Sequence, residues 1–228
     1  MLNESVFFYT FITVTFYVIG VLIQKRFKNP LFNPLLLTII FVTLMLVVGD
    51  IKFSVYEEKT KMLNFLLTPA TVCLAIPLYE KLSELKKNVM AILLGILSGV
   101  ITSAISVILV AFAFKLDKEI TVSLLPKSVT TAIGVGIVEE LGGITALTAI
   151  GIIITGVFGN IIAESVCRIF KITESVAIGT AIGTSSHVGG TAKAVQMGQT
   201  EGAVSGLAIA LAGIMTVILA PIIANIFI

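Results

Sequence analysis

Long apolar runs dominate the chain, and short clusters of charged residues and prolines separate them. A membrane-spanning helix needs about 20 mostly apolar residues, and the runs at 5–23 and 89–114 meet this requirement. No basic segment precedes the first run and no small-residue cleavage site follows it, so we interpret it as a membrane helix and not as a signal peptide. The further apolar runs cover residues 33–48, 62–79, 121–138, 144–163, 175–187 and 203–227.

Prolines and glycines interrupt several of these runs. Each proline removes a backbone donor and disrupts the preceding turn, and glycine also weakens a helix. Within a bilayer, irregular backbone is stable only where protein buries it or where it lines a water-filled cavity. We therefore predict an all-α polytopic membrane protein of about six to eight membrane segments, including discontinuous or re-entrant helices. The breaks are predicted near Pro69–Pro77, Pro126–Gly136 and His187–Thr191.

Composition agrees with this class, because 57% of the residues are hydrophobic and only 12% are charged, against about 25% charged in a soluble domain. The formal net charge of +2 is too small to indicate a nucleic-acid partner. Cys73 and Cys167 lack CxxC spacing and metal-ligand neighbours, so no metal or cofactor is predicted. We expect one membrane domain over 1–228 in the lipid bilayer of the plasma membrane, with a helical pair over 1–61 and a core of broken helices over 62–228.

The stretch GTAIGTSSHVGGTAKA is unusually polar for this chain and holds its only histidine. In a helix Thr180, Thr184 and His187 would share one face, and the glycine pair that follows would break the helix. Thr191 would then cap a new half-helix beginning at the next residue, whose N-terminus favours an anion, with a titratable imidazole and the charge of Lys193 nearby. The alternative is a structural histidine beside packing glycines, with a lysine that extends to the membrane surface. The candidate substrate-binding residues here are Thr184, Ser185, Ser186, His187, Gly189, Gly190 and Thr191.

A second polar cluster lies in the stretch PKSVTTAIG. A lysine at the bilayer centre costs roughly 2.5 to 3.5 kcal/mol on insertion scales, so it requires a partner or water. Alternatively, the proline and lysine lie in a loop at the membrane surface, where charge costs little. We predict that the two clusters meet in space, because transporter sites form where broken segments meet near the bilayer midplane. The candidate substrate-binding residues of this cluster are Lys127, Ser128, Thr130, Thr131 and Gly134.

Two short sequences occur twice and suggest an internal repeat. TAIG occurs at 131–134 and at 180–183, while ILSGV at 96–100 resembles IITGV at 153–157. Interrupted segments in corresponding positions of two halves indicate the substrate site of a transporter. The alternative is a chance match between membrane helices that are rich in small residues.

Seven motifs along the chain together identify a resemblance: NPLL at 33–36, LLTPATVCLAIPLYEKL at 66–82, LLPKSVTT at 124–131, GGI at 142–144, TGVFGN at 155–160, GTSSHVGGTAKA at 183–194 and EGA at 201–203. With these motifs, the chain resembles the LrgB/CidB family from about residue 30 onwards. Two positions depart from the pattern of that family, since Ala132 stands where proline is common and Thr68 stands where glycine is frequent. Ala132 would make a break at the second cluster milder.

The resemblance implies pairing with a smaller LrgA/CidA-type membrane protein and holin-like or antiholin-like control of murein hydrolase activity and cell lysis. The related plastid protein exchanges glycolate and glycerate, and bacterial members have been linked to pyruvate movement. One expected function is thus a membrane transporter of small carboxylates of the pyruvate, lactate, glycolate or glycerate type.

The alternative function is a holin/antiholin-like pore component or regulator that acts by assembly with its partner. A pore former needs no localised anion chemistry, so the clustered lysine, threonines and histidine favour transport. No enzyme is predicted, because the sequence shows no nucleophile–base pair, metal set or phosphate loop. A homo-oligomer is compatible with both functions.

Overall fold

The structure is a computed structural model that describes residues 6–27, 32–63 and 86–227, together with residues 65, 66, 69, 76 and 79. These residues form helices and no strand, which confirms the predicted all-α class. Four of the described helices are long and apolar enough to cross a membrane. The chain forms two compact units, Met1–Cys73 and Leu74–Ile228. The predicted run at 62–79 and its break near Pro69–Pro77 lie mostly outside the described residues.

The first unit contains α1 (Val6–Phe27), α2 (Pro34–Val48) and α3 (Phe53–Lys59). The start of α2 follows directly from the sequence. Pro34 occupies the first turn, and the Asn33 side chain accepts hydrogen bonds from two N–H groups of that turn at 2.9 and 3.3 Å. Both α1 and α2 match predicted apolar runs.

The second unit contains three described helices that are long enough to span the bilayer. They are α4 (Val89–Phe114), α7 (Thr145–Ile169) and α9 (Gln199–Phe227). Aliphatic residues in the first halves of α4 and α9 form one buried cluster, and residues in the second halves of both helices join another. The two helices therefore run in the same direction.

A hairpin lies between α4 and α7. It consists of α5 (Lys118–Leu124), an irregular turn and α6 (Thr131–Leu141), and we call residues 118–141 the first hairpin. Its two arms lie side by side, because the Ile144 N–H just after α6 donates to Ser123 Oγ in α5 at 2.6 Å. The chain therefore turns back toward the face from which α5 entered, as predicted for a re-entrant segment.

A second hairpin is formed by α8 (Ser175–Met197), which is broken at His187 with φ 41° and ψ −141°. The two halves of α8 lie against each other. A Cβ built on Gly190 would lie 3.3 Å from the Ile182 carbonyl oxygen, whereas positions eight residues apart in a continuous helix are separated by about 12 Å. The break predicted at 187–191 is thus confirmed, and we call residues 175–197 the second hairpin.

The two hairpins enter the second unit from opposite faces. We define the first face as the one at which α4 and α9 begin, and the second face as the one at which they end. The first hairpin follows α4 and so enters from the second face. Helix α7 begins beside that hairpin and runs to the first face, where the second hairpin enters and α9 begins beside it.

Candidate functional site

The turn of the first hairpin, residues 125–130, carries a half-buried lysine that lies against the middle of α4. Lys127 Nζ donates to Ser103 Oγ at 3.0 Å and lies 3.4 Å from Ser128 Oγ, and the two hydroxyls are 3.1 Å apart. Ser103 lies near the middle of the spanning helix α4, so Lys127 lies at mid-membrane depth and not in a surface loop. Among the residues that the structure describes, Lys127 forms no ion pair.

Helix α6 begins directly after this turn without a side-chain cap. Thr130 is the N-cap residue, and its hydroxyl makes no capping hydrogen bond. The N-terminal N–H groups of α6 and the positive end of its dipole therefore lie close to Lys127. Thr131 is exposed, whereas Gly134 is buried against Ile152, whose side chain would lie 2.6 Å from a Cβ at that position.

Both ring nitrogens of His187 are bonded to backbone groups. Nε2 lies 2.9 Å from the Ile152 carbonyl oxygen, which can only accept, so Nε2 donates. Nδ1 accepts from the Gly189 N–H at 3.4 Å. The ring also packs on Gly156, where a Cβ would lie 2.6 Å from Cε1. This geometry favours the structural interpretation of the histidine, because the neutral imidazole links the break in α8 to α7.

The break lies at His187 and not at the glycine pair, which corrects the sequence-based prediction. The second half of α8 begins at Val188, so Thr191 does not cap a half-helix. Instead, Thr191 Oγ1 donates to the His187 carbonyl oxygen at 2.9 Å and lies 2.7 Å from a serine hydroxyl of α9. The glycines permit close packing, since a Cβ on Gly189 would lie 2.7 Å from Gly156 Cα.

Asn160 of α7 satisfies a backbone carbonyl at the break. Its Nδ2 donates to the Gly189 carbonyl oxygen at 2.6 Å, and the side chain is buried. Nearby, Ser186 is buried against Gly159, while Ser185 is exposed with its hydroxyl 3.1 Å from that of Ser186. Asn160 was not predicted as a site residue. An asparagine within an apolar spanning helix could have indicated it, because such a polar side chain usually has a function or a polar contact.

Thr180, Thr184 and His187 do not share one face, contrary to the prediction. The two threonines pack against glycines of α4, whereas the positive φ of His187 takes its side chain to α7. The charge of Lys193 is also not available to an anion. Its Nζ pairs with Glu164 Oε2 at 2.7 Å, which joins the second half of α8 to α7.

A small cavity of about 20 Å³ lies between the turn of the first hairpin, the second hairpin and the helices α4 and α9. This is room for about one water molecule. Ser128 and Thr184 line it from the two hairpins, so the two predicted clusters meet through this pair. The other candidate residues do not line the cavity, namely Lys127, Thr130, Thr131, Gly134, Ser185, Ser186, His187, Gly189, Gly190 and Thr191. Thr184 is buried, with 5% of its surface exposed, and its hydroxyl has no hydrogen-bond partner within the described part of the chain. Ser103 and Thr216 add two further hydroxyls that the sequence did not single out as site residues, and apolar side chains form the rest of the wall.

Comparison with known proteins extends these observations. The model of the LrgB-like family matches residues 13–226. The chain is 33% identical over 216 residues to the holin-like protein CidB of Staphylococcus aureus strain Mu50, which covers 95% of this chain and 94% of that protein. It is 37% identical over 206 residues to the antiholin-like protein LrgB of Bacillus cereus strain B4264, which covers 90% of each. No solved structure matches this chain.

Proposed function

Because this chain belongs to the LrgB-like family and its hairpins meet at a small cavity whose wall carries four hydroxyl groups, we propose that it is a secondary transporter of small carboxylates. The proposed substrates are pyruvate, lactate, glycolate or glycerate, carried across the plasma membrane. The observation that carries the proposal is the half-buried Lys127, whose ammonium group donates to Ser103, a residue of the cavity wall. It has no acidic partner among the residues described here.

The charge of Lys127 requires compensation. An ammonium group in the interior is costly unless an opposite charge or water compensates it, and the described neighbours of this one are two neutral hydroxyls at 3.0 and 3.4 Å. A carboxylate 4 Å away would contribute about 4 kcal/mol of attraction at an effective dielectric constant of about 20. The site is therefore most stable when it holds an anion, which is the property that an anion transporter needs.

The hydroxyl groups around the cavity supply donors for a carboxylate. Ser128 and Thr184 lie on different hairpins, and each can donate to a carboxylate oxygen. A substrate bound between them would contact hairpins that enter from opposite faces of the unit. Since the cavity of about 20 Å³ has room for about one water molecule, binding requires the hairpin tips to separate.

Uptake into proteoliposomes tests the proposal. Purified protein should take up labelled pyruvate, lactate or glycolate with saturable kinetics, because the substrate must occupy one buried site. Uptake with and without a proton gradient would identify proton coupling, and a neutral dye trapped in the vesicles should be retained. Absence of flux for all of these acids, or release of the dye with the same time course as the acid, would contradict transport.

Thr184→Val should lower carboxylate uptake without lowering stability. Valine has nearly the same shape, and the hydroxyl that it removes has no described partner, so no buried hydrogen bond is lost. Thr191→Val is the matched control, because its hydroxyl bonds to His187 and Ser205, and its loss should cost about 1 to 3 kcal/mol. Melting temperatures and uptake per folded molecule would be measured for both variants. Unchanged uptake by Thr184→Val would exclude its hydroxyl from the binding site.

The names of the relatives favour a second candidate function, that of a holin/antiholin-like pore component or regulator. Such a protein would act by assembly with an LrgA/CidA-type partner. Its flux would not saturate, would depend on that partner, and would include the neutral dye. Effects on murein hydrolase activity and lysis are compatible with both functions, because altered carboxylate flux would also change membrane energetics.

A further inference from the structure

The second unit contains two helix–hairpin pairs that run in opposite directions. Helix α4 crosses from the first face to the second and is followed by the first hairpin, and α7 crosses back and is followed by the second hairpin. The pairs occupy residues 89–141 and 145–197, which are segments of equal length.

One of the two repeated sequences agrees with this arrangement. ILSGV at 96–100 and IITGV at 153–157 lie near matching positions in the spanning helices of the two pairs. The two copies of TAIG do not correspond, because the copy at 131–134 follows the tip of its hairpin and the copy at 180–183 precedes it. The structure thus distinguishes one repeated sequence from the other.

The residue four positions after the glycine of each pentapeptide is hydrogen-bonded to the tip of the hairpin that follows its helix. Ser103 Oγ lies 3.1 Å from Ser128 Oγ, at the tip of the first hairpin. Asn160 Nδ2 donates to the Gly189 carbonyl oxygen at 2.6 Å, at the tip of the second hairpin. In each pair, a polar side chain near the middle of the spanning helix therefore holds the tip of the hairpin that follows it.

We infer that residues 89–141 and 145–197 are inverted copies of one unit, and that a second access path beside the second hairpin leads to the first face. The cavity in the present structure extends toward the second face, because its wall includes Leu219 and Ile223 in the second half of α9. Because the two copies are inverted, equivalent contacts can form a second conformation of the protein. In that conformation the access path lies on the other side of the hairpin tips and opens to the first face.

The correspondence of the two pentapeptides identifies residues of the second path. ILSGV and IITGV are separated by 57 residues. Ala104 lines the present cavity, and the residue 57 positions after it is Ile161. Ile161 should therefore line the path to the first face, and Asn160 should act as the positioning residue of the second hairpin. The inference goes beyond the proposed function, because it concerns access to both faces and not the identity of the substrate.

Cysteine labelling from the two faces tests the second path. In protein with Cys73 and Cys167 replaced by alanine, a membrane-impermeant maleimide should label the two positions only while the hairpin tips are separated during transport. It should reach Ala104→Cys only from the second face and Ile161→Cys only from the first. Phe158→Cys is the control, because Phe158 is 59% exposed on the outside of the unit, where lipid should exclude the reagent. Labelling of Ala104→Cys and Ile161→Cys from the same face would overturn the inference, and so would an unlabelled Ile161→Cys in protein that transports.

Asn160→Leu tests the positioning role, because leucine has a similar shape but cannot donate to Gly189. Release of the tip should raise the labelling of Ile161→Cys from the first face. It should also lower the maximal uptake rate at least about tenfold with KM changed by less than about twofold, since the bond orders the hairpin and does not touch the substrate. Asn160→Ser, a second variant whose side chain is too short for this bond, should show the same split.

A lower melting temperature with unchanged labelling and kinetics would overturn the positioning role of Asn160. Failure of the proposed function is distinguishable from failure of this inference. If none of the tested acids is taken up while Ala104→Cys and Ile161→Cys still label from opposite faces, carboxylate transport is refuted and the inverted copies stand.

Discussion

Lys127→Met should abolish saturable carboxylate uptake and leave the protein at least as stable as the wild type. Methionine preserves the apolar stem, and removal of the ammonium group breaks no ion pair among the described residues. The lost attraction of about 4 kcal/mol corresponds to roughly a thousandfold in affinity. We expect uptake at low substrate concentration to fall at least about 100-fold, as measured in proteoliposomes with equal amounts of folded protein.

Lys193→Met is the matched control for this variant. It removes a lysine whose charge Glu164 already pairs at 2.7 Å, and partly exposed ion pairs of this kind contribute at most about 1 kcal/mol. Uptake by Lys193→Met should therefore change by less than about threefold. Lys127→Arg, which keeps the positive charge, should retain more activity than Lys127→Met. Wild-type uptake by Lys127→Met would show that Lys127 does not bind the substrate.

His187→Ala should strongly destabilise the protein. It leaves the Ile152 carbonyl and the Gly189 N–H without their ring partners, at about 1 to 3 kcal/mol for each buried group. Alanine also keeps the strain of φ 41° and ψ −141°, a region that L-residues rarely adopt. His187→Gly loses the same ring but adopts this backbone freely, so it should be more stable than His187→Ala by about 1 kcal/mol. Melting of the purified variants in detergent would measure both effects.

His187→Gln distinguishes a structural histidine from one that titrates during transport. Glutamine retains a donor for the Ile152 carbonyl but cannot change its charge. A structural role predicts that uptake per folded molecule and its pH dependence stay close to those of the wild type. Uptake by His187→Gln that loses the pH dependence of the wild type would show that the imidazole exchanges protons in the transport cycle.

The sequence was sufficient to predict the spanning helices and the presence of both interior breaks. Length and hydropathy alone locate α4 and α9, because the bilayer fixes how many apolar residues a crossing needs. The first break forms around Pro126 although Ala132 stands where the family often has a second proline. The second break was assigned to the glycine pair, because intrinsic propensity favours glycine there. Hydrogen bonds of α7 with the His187 ring and with the Gly189 carbonyl place the break at His187, two residues before the glycine pair.

The site was less predictable, because contacts between distant residues decide its charges. The sequence left Lys127 open between a surface loop and the middle of the bilayer, and its contact with Ser103, 24 residues away near the middle of α4, decides for the middle of the bilayer. Lys193 was assigned to an anion site, but it pairs with Glu164, which lies 29 residues away. Ser103 was not selected as a site residue, since no local pattern distinguishes a serine that packs from one that binds a lysine.

Equilibrium binding of a labelled carboxylate to purified wild type and Lys127→Met, side by side, would test most directly whether Lys127 supplies the charge that holds the substrate. The wild type should bind pyruvate, lactate or glycolate saturably, and the Kd should rise at least about 100-fold in Lys127→Met, because the variant lacks the ammonium group that donates to Ser103 on the cavity wall. Equal binding by the two proteins, or no binding of any of these acids by the wild type, would contradict this role.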